Sequence, residues 1–318
     1  MKNSIERTWD TALEKVRLTP GKEDGYLIFL LDDMAERKVY GGVDAEQNVV
    51  LAIEVGTKPA SATLKSGALD YFRLRREGFG TWLMVLRLRR PELLPVFARL
   101  CQDLIDEIAK TEDEIALIRL VHRRLALWQR LFDQSGAGLL EPHQVMGLLA
   151  ELLFMQSVLD AGVRKPSEVA AAWVGPSRAD QDFRFSGEAV EVKAVGPGAR
   201  GVTISSLRQL DGILPVSMSI WTMRPASSDE PGAVTLNQLV AQLEQRFIPD
   251  ANALGVFRDS LLEAGYIEHP QYDEIAFEPM QTESFVVDED FPRLTSSTVP
   301  DGISAATYVL SLHFLRTR

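Results

Sequence analysis

Residues 182–193 read Asp-Phe-Arg-Phe-Ser-Gly-Glu-Ala-Val-Glu-Val-Lys, the stretch that most constrains what this chain can become. Phe183, Phe185, Val190 and Val192 alternate with Asp182, Arg184, Glu191 and Lys193, the period-2 pattern of a β-hairpin. Ser186-Gly187 can make the turn. A two-residue loop sets Phe185 opposite Glu188, Phe183 opposite Val190 and Asp182 opposite Glu191, with Lys193 on the face of Glu191. Facing carboxylates repel. A bound divalent cation offsets that repulsion, since Mg²⁺ takes one or two carboxylates plus waters and phosphate oxygens. A neighbouring lysine can orient a water or steady developing charge. A four-residue loop would instead place Asp182 opposite Lys193, an ordinary cross-strand ion pair.

The flanking segments bear on this choice. Glu151 lies within residues 142–159, which have helical spacing, and its neighbours three and four positions away are Gly147, Leu148, Phe154 and Met155. A carboxylate on an apolar face must be neutral, paired or near a metal; a buried arginine partner is the competing reading. Downstream, residues 202–210 read as a third strand and then a helix start capped by Ser205 or Ser206. Gln209 is expected either near the mouth of the site or as a solvated helix residue.

The order is a helix with Glu151, a strand with Asp182, a strand with Glu-x-Lys, a third strand and a helix. This resembles the PD-(D/E)XK, or restriction-endonuclease-like, nuclease superfamily, and more closely the bacterial "PD-(D/E)XK motif protein" family. The closer likeness rests on Gly147-Leu-Leu-Ala-Glu-Leu-Leu-Phe, Trp173-Val-Gly, Val190-Glu-Val-Lys193 and Ile204-Ser-Ser-Leu-Arg-Gln-Leu. It extends to Phe291-Pro-Arg-Leu and the Tyr308 strand. One departure is Gln181, which stands where the name-giving proline precedes the aspartate.

The resemblance implies an α/β (α+β) fold with a central mixed β-sheet flanked by helices. It implies Mg²⁺, with Mn²⁺ as substitute, held by Asp182, Glu191 and the Val192 carbonyl. Lys193 would assist the attacking water, Glu151 would be the accessory carboxylate and Gln209 a further site residue. The implied reaction is metal-dependent hydrolysis of a DNA phosphodiester, in restriction or phage defence, with a helicase or methyltransferase as possible partner subunits. A catalytically inactive DNA-binding or assembly subunit is the alternative. One site cuts one strand, so double-strand cleavage would call for a dimer or two events.

The 318 residues suggest about two domains, and 46% hydrophobic with 25% charged residues suit a globular chain. The single Cys101 excludes an internal disulfide and a cysteine-built zinc site. No apolar run is expected to reach the ~20 residues of a membrane helix, and the start does not read as a signal peptide, so the expected compartment is the cytoplasm. The net charge of −11 is uneven: Ser227 to Asp301 holds fifteen Asp or Glu against three Arg, net −12, which leaves the remainder at +1. DNA affinity depends on local positive charge rather than the total.

The expected layout is a β-rich region with helices over 1–135, a nuclease core over 136–225 and an acidic α+β extension over 226–318. In the first region a helix over 1–18 precedes short strands, an exposed loop over 59–68 and a hairpin, Tyr71–Gly78 with Thr81–Arg90. Both arms of that hairpin alternate apolar residues with arginine, so Arg73, Arg75, Arg87 and Arg89 could share one face for DNA phosphates. A solvated sheet face is the competing reading. Helices follow over 91–110 and 112–133, the second with Arg119, Arg123, Arg124 and Arg130 on its polar side and His122 as a structural or surface residue. Residues 134–138 read as a flexible break. Further strands are expected near 214–223, 275–277, 283–287 and 306–315, with helices over 235–247 and 251–265.

Overall fold

The computed structural model describes residues 4–18, 25–31, 37–60, 67–134 and 139–318. Most of the expected 59–68 loop and of the 134–138 break lies outside them. The chain forms two compact units, Met1–Leu139 and Leu140–Arg318.

The first unit opens with α1 (Ser4–Leu18) and five strands, β1 (Leu27–Leu30), β2 (Val39–Val43), β3 (Val49–Val55), β4 (Leu69–Arg76) and β5 (Thr81–Leu88). They form one antiparallel sheet in the order β1-β2-β3-β5-β4. Gly42 is dictated by that pairing, because a Cβ there would lie 2.0 Å from the Leu27 carbonyl oxygen. Helices α2 (Leu94–Ile108) and α3 (Glu114–Gln134) follow. Trp9 stacks on Phe97 of α2 at 5.4 Å and donates its indole N–H to the Val50 carbonyl at 2.8 Å, tying α1 to helix and sheet together. Arg124, expected on a polar face, is buried and lies 3.5 Å from Asp103. His122 meets the Tyr71 hydroxyl at 3.2 Å.

The second unit contains α4 (Pro142–Ala161), α5 (Pro166–Ala172), β6 (Phe183–Phe185), β7 (Glu188–Val195), β8 (Gly201–Ile204), β9 (Val216–Ala226), β10 (Val234–Thr235), α6 (Leu236–Phe247), α7 (Ala251–Glu263), α8 (Gln271–Glu274), β11 (Ala276–Val287), β12 (Tyr308–Ser311) and α9 (Leu312–Thr317). Its main sheet runs β10-β11-β9-β7-β6 and is mixed, with β7 and β9 parallel and the other pairs antiparallel. Strand β11, from the acidic stretch, pairs with β9 along nearly its whole length. Strand β8 leaves this sheet and pairs with β12.

The two faces of β7 carry different loads. Val190 and Val192 share a face with Phe183, which packs on Phe154 of α4 at 4.8 Å. Ala189 and Val195, on the opposite face, join a core with Ile204, Leu210, Met218, Leu310 and Leu312. Glu191 and Lys193 lie on that second face by alternation.

Three expectations need correction. Residues 206–210 form turns rather than a helix. Gln209 Oε1 takes the Ser205 N–H at 2.7 Å and Ser206 Oγ takes the Arg208 N–H at 3.3 Å, so the cap-like bonds form, but Gly212 and Pro215 follow too soon for a helix to propagate. The last strand stops at Ser311, whose Oγ accepts the Phe314 N–H and starts α9. Helix α4 is long and apolar enough, by length and composition alone, to cross a membrane. Here it is a core helix: it packs on β7 and on α6, so it is apolar on more than one side and buries Leu148, Leu149, Leu152 and Leu153.

Candidate active site

The hairpin closes through Ser186-Gly187, with Gly187 at φ 98°. Phe183 pairs with Val190, Arg184 with Ala189 and Phe185 with Glu188, the two-residue register. The alternative of Asp182 opposite Lys193 is thereby excluded. Because β6 begins only at Phe183, the edge of β7 beyond Val190 has no strand partner there. Asp182 occupies that edge, and its Oδ2 accepts the Val192 N–H at 2.7 Å. In an extended strand a residue's N–H and C=O leave on the same side. The Val192 carbonyl is therefore directed to the edge where Asp182 sits.

Asp182 is itself held by the preceding turn. Its carbonyl accepts the N–H groups of Val174 and Gly175, each at 2.9 Å. Gly175 has to be small, since a Cβ there would lie 2.8 Å from Asp182 Oδ1. Trp173, one residue earlier, bridges to Phe183 through the backbone and donates its indole N–H to Glu151 Oε2 at 2.7 Å. So, among the described residues, Glu151 meets a tryptophan donor rather than an arginine partner.

Glu191 is 1% exposed and pairs with Lys193, whose Nζ lies 2.8 Å from Oε1. Its other oxygen, Oε2, is buried with no hydrogen-bond partner. Lys193 Nζ also donates to Gln209 Oε1 at 3.3 Å. Gln209 is thus neither a solvated helix residue nor an open water ligand; it steadies the lysine from the 205–214 loop. That loop is fixed by Gln181, 3% exposed, whose Nε2 donates to the carbonyls of Arg208 at 2.8 Å and Gln209 at 3.3 Å.

Burial and crowding disturb all three carboxyl groups. Desolvation pushes Asp182 up to about 6 against the Val192 N–H and the Lys193 charge, which hold it down. Desolvation and then the Asp182 charge push Glu191 up to about 8 despite Lys193. Desolvation, with Asp182 next, raises Glu151 well above the usual carboxylate range, partly countered by the Trp173 N–H. Carboxyl groups perturbed by burial and gathered in this way are an arrangement that functional sites often use.

The donor set suits a hard divalent cation. Among the described residues no three His, Cys, Asp or Glu side chains form a ready-made cage. Mg²⁺ does not need one, because waters and substrate oxygens fill most of its shell. An orphaned buried carboxylate oxygen costs roughly 1–3 kcal/mol or more when nothing bonds it. Glu191 Oε2 is such an oxygen, and the Asp182 charge is near enough to raise the Glu191 carboxyl.

The expected arginine face does not assemble. Asp70 pairs with Arg87 and Arg73 with Met84, so Arg73 and Arg75 lie on one face of the β4–β5 hairpin, while Arg87 and Arg89 lie on the other. The four-residue turn between Arg76 and Thr81 sets this register. Arg87 is spent on Asp70 at 2.6 Å and Asp44 at 3.2 Å, and Arg89 lies 3.7 Å from Asp70. Arg73 donates to the Pro59 carbonyl. Arg76 binds Glu54 and Arg90 binds Glu92. Of the four candidates, Arg75 and Arg89 are exposed, and they lie on opposite faces.

The sequence signals missed were Trp173 and Gln181. Each stood in a segment already singled out, but its partner lies 22 to 28 residues away and no local pattern names it.

A search of curated proteins and a search of solved structures each returned no match. Residues 5–313 match the model of a family described as "Putative PD-(D/E)XK family member, (DUF4420)". With nearly the whole chain matched and the Asp182, Glu191 and Lys193 side chains gathered at one strand edge, the chain belongs to this PD-(D/E)XK-type family.

Proposed function

We propose that the protein is a divalent-metal-dependent DNA endonuclease acting through Asp182, Glu191 and Lys193. One observation carries the reading: Glu191 Oε2 is buried and unbonded beside a lysine and a second carboxylate. A buried carboxylate oxygen without a partner is uncommon and calls for an explanation, which a bound cation would supply. Asp182, Glu191 and the Val192 carbonyl would hold Mg²⁺ or Mn²⁺. When bound, the cation would polarise a phosphoryl oxygen and ease deprotonation of water.

The protein's own groups do the rest. The Val192 N–H fixes Asp182, and the Trp173 N–H fixes Glu151. Lys193, braced between Glu191 and Gln209, presents an ammonium that can orient the attacking water and counter charge developing on the phosphoryl group. Burial around the carboxylates keeps bulk water from screening these charges. A role in restriction or phage defence fits a nuclease of this family and rests on that likeness alone.

The test is calorimetric titration of Mg²⁺ and Mn²⁺ into wild type and Asp182→Ala with DNA present, alongside plasmid cleavage. Cation binding lost in the variant, with cation-dependent nicking by wild type, supports the reading. Absence of cation binding in both, with DNA present, supports an inactive DNA-binding subunit instead.

A further inference from the structure

On the face of β7 that carries Lys193 and Glu191, the next position toward the strand start is Ala189, paired across the hairpin with Arg184. These two residues line a cavity of about 530 Å³ together with Gln181, Asp180, Arg208 and Asp211. Ala189 is two residues from Glu191, about 6.8 Å along an extended strand. The cavity therefore lies near the carboxylate site on the same strand face, and one loop serves both: Arg208 and Asp211 line the cavity, and Gln209 between them accepts from Lys193.

The lining has a specific chemistry. Arg184 and Arg208 are exposed guanidinium groups, the fork that matches phosphate oxygens. Asp180 and Asp211 supply acceptors, which suit the amino group of a base edge and disfavour a bare polyanion. Gln181 is buried, and its amide is held on both sides, by the Arg208 and Gln209 carbonyls and by Arg184, whose NH2 donates to Gln181 Oε1 at 3.3 Å. Ile213 at the rim is fully exposed, an apolar side chain available to a base face. The volume suits one small ligand and not a duplex.

We propose that this cavity is a nucleotide subsite, taking the base and phosphate of the nucleotide next to the scissile bond, with preference for bases bearing an exocyclic amino group. The proposal rests on the nuclease reading for its biological meaning, but its binding test does not. Gln181 then has a double duty. The residue that stands in place of the family's proline orients the cavity wall and, through the Gln209 backbone, the loop that braces Lys193.

The experiment measures binding of dCMP, dAMP and dTMP to the full chain without divalent cation, in wild type, Arg208→Ala and Ser296→Trp. Ser296 is exposed on the cavity lining, so a tryptophan there fills the space without entering the core. The expected result is that dCMP and dAMP bind wild type at least tenfold tighter than dTMP does, and that both variants lose at least tenfold. No nucleotide binding by wild type, or equal binding in Ser296→Trp, overturns the subsite. Plasmid cleavage by the same wild-type preparation is scored separately. Cleavage without nucleotide binding removes the subsite and leaves the nuclease, whereas nucleotide binding without cleavage keeps the subsite and removes the nuclease.

Discussion

The backbone N–H of Val192 donates to Asp182 Oδ2 at 2.7 Å, so the aspartate is fastened to the strand segment that lies between Glu191 and Lys193. That bond ties the aspartate to the strand segment that carries the other two groups. It also leaves Asp182 Oδ1 facing Gly175, where a Cβ would stand 2.8 Å away. Substituting Gly175→Ala should push Asp182 off this anchor. Cation affinity, read by calorimetry, should fall about tenfold or more, while the melting temperature changes little.

The raised carboxyl groups predict an inverted pH dependence of stability. Free Asp and Glu titrate near about 3.9 and 4.3; here Asp182 is at about 6 and Glu191 at about 8. A group whose folded value is raised holds its proton more tightly when folded. Its stabilising contribution is complete below about pH 4 and is lost as pH rises through about 6 and then about 8. Without divalent cation, thermal melts should therefore show a loss between pH 5 and 8.5 that is flattened in an Asp182→Asn, Glu191→Gln double variant. Mg²⁺ should raise the melting temperature more at pH 8 than at pH 6, with proton release on binding. A cation effect independent of pH would contradict the burial argument.

Trp173→Phe removes the indole N–H that orients Glu151 and keeps a ring beside Phe257, 5.9 Å away in the native chain. The Glu151 carboxyl loses one group that holds its value down, so its ionisation should move to higher pH. The alkaline-shifted limb should be visible in the pH–rate profile of plasmid nicking. A uniform rate loss with an unshifted profile would mean that the tryptophan matters only for packing.

Gln209→Ala frees Lys193 from its brace at 3.3 Å and leaves the Ser205 N–H without its acceptor. A misplaced catalytic group costs about 10- to 100-fold in rate. The loss should fall on kcat with KM little changed, because Gln209 acts through the lysine. Gln209→Glu, which keeps the acceptor, should recover part of it.

How much of this was legible follows from how local each determinant is. The 182–193 register was readable, since alternation and a two-residue turn specify it within twelve neighbouring residues. The recognised family is likewise written in short segments. The arginine surface was misread because its four members have the same alternation in each arm, and only the pairing of Arg76 with Thr81 reveals that the two arms present them on opposite faces. The helix expected after Ser205 had its caps but not its length. The pairing of β8 with β12, and the bond from Trp173 to Glu151, join residues far apart in sequence and leave no periodic trace.

On the proposed function, the buried pair of Glu191 and Lys193 is catalytic machinery rather than a structural salt bridge. Lys193→Ala, assayed for Mg²⁺-dependent plasmid nicking and for cation and DNA binding in the same preparation, tests it most directly. The account predicts nicking lost with cation and DNA binding retained; cleavage by Lys193→Ala at the wild-type rate would contradict it.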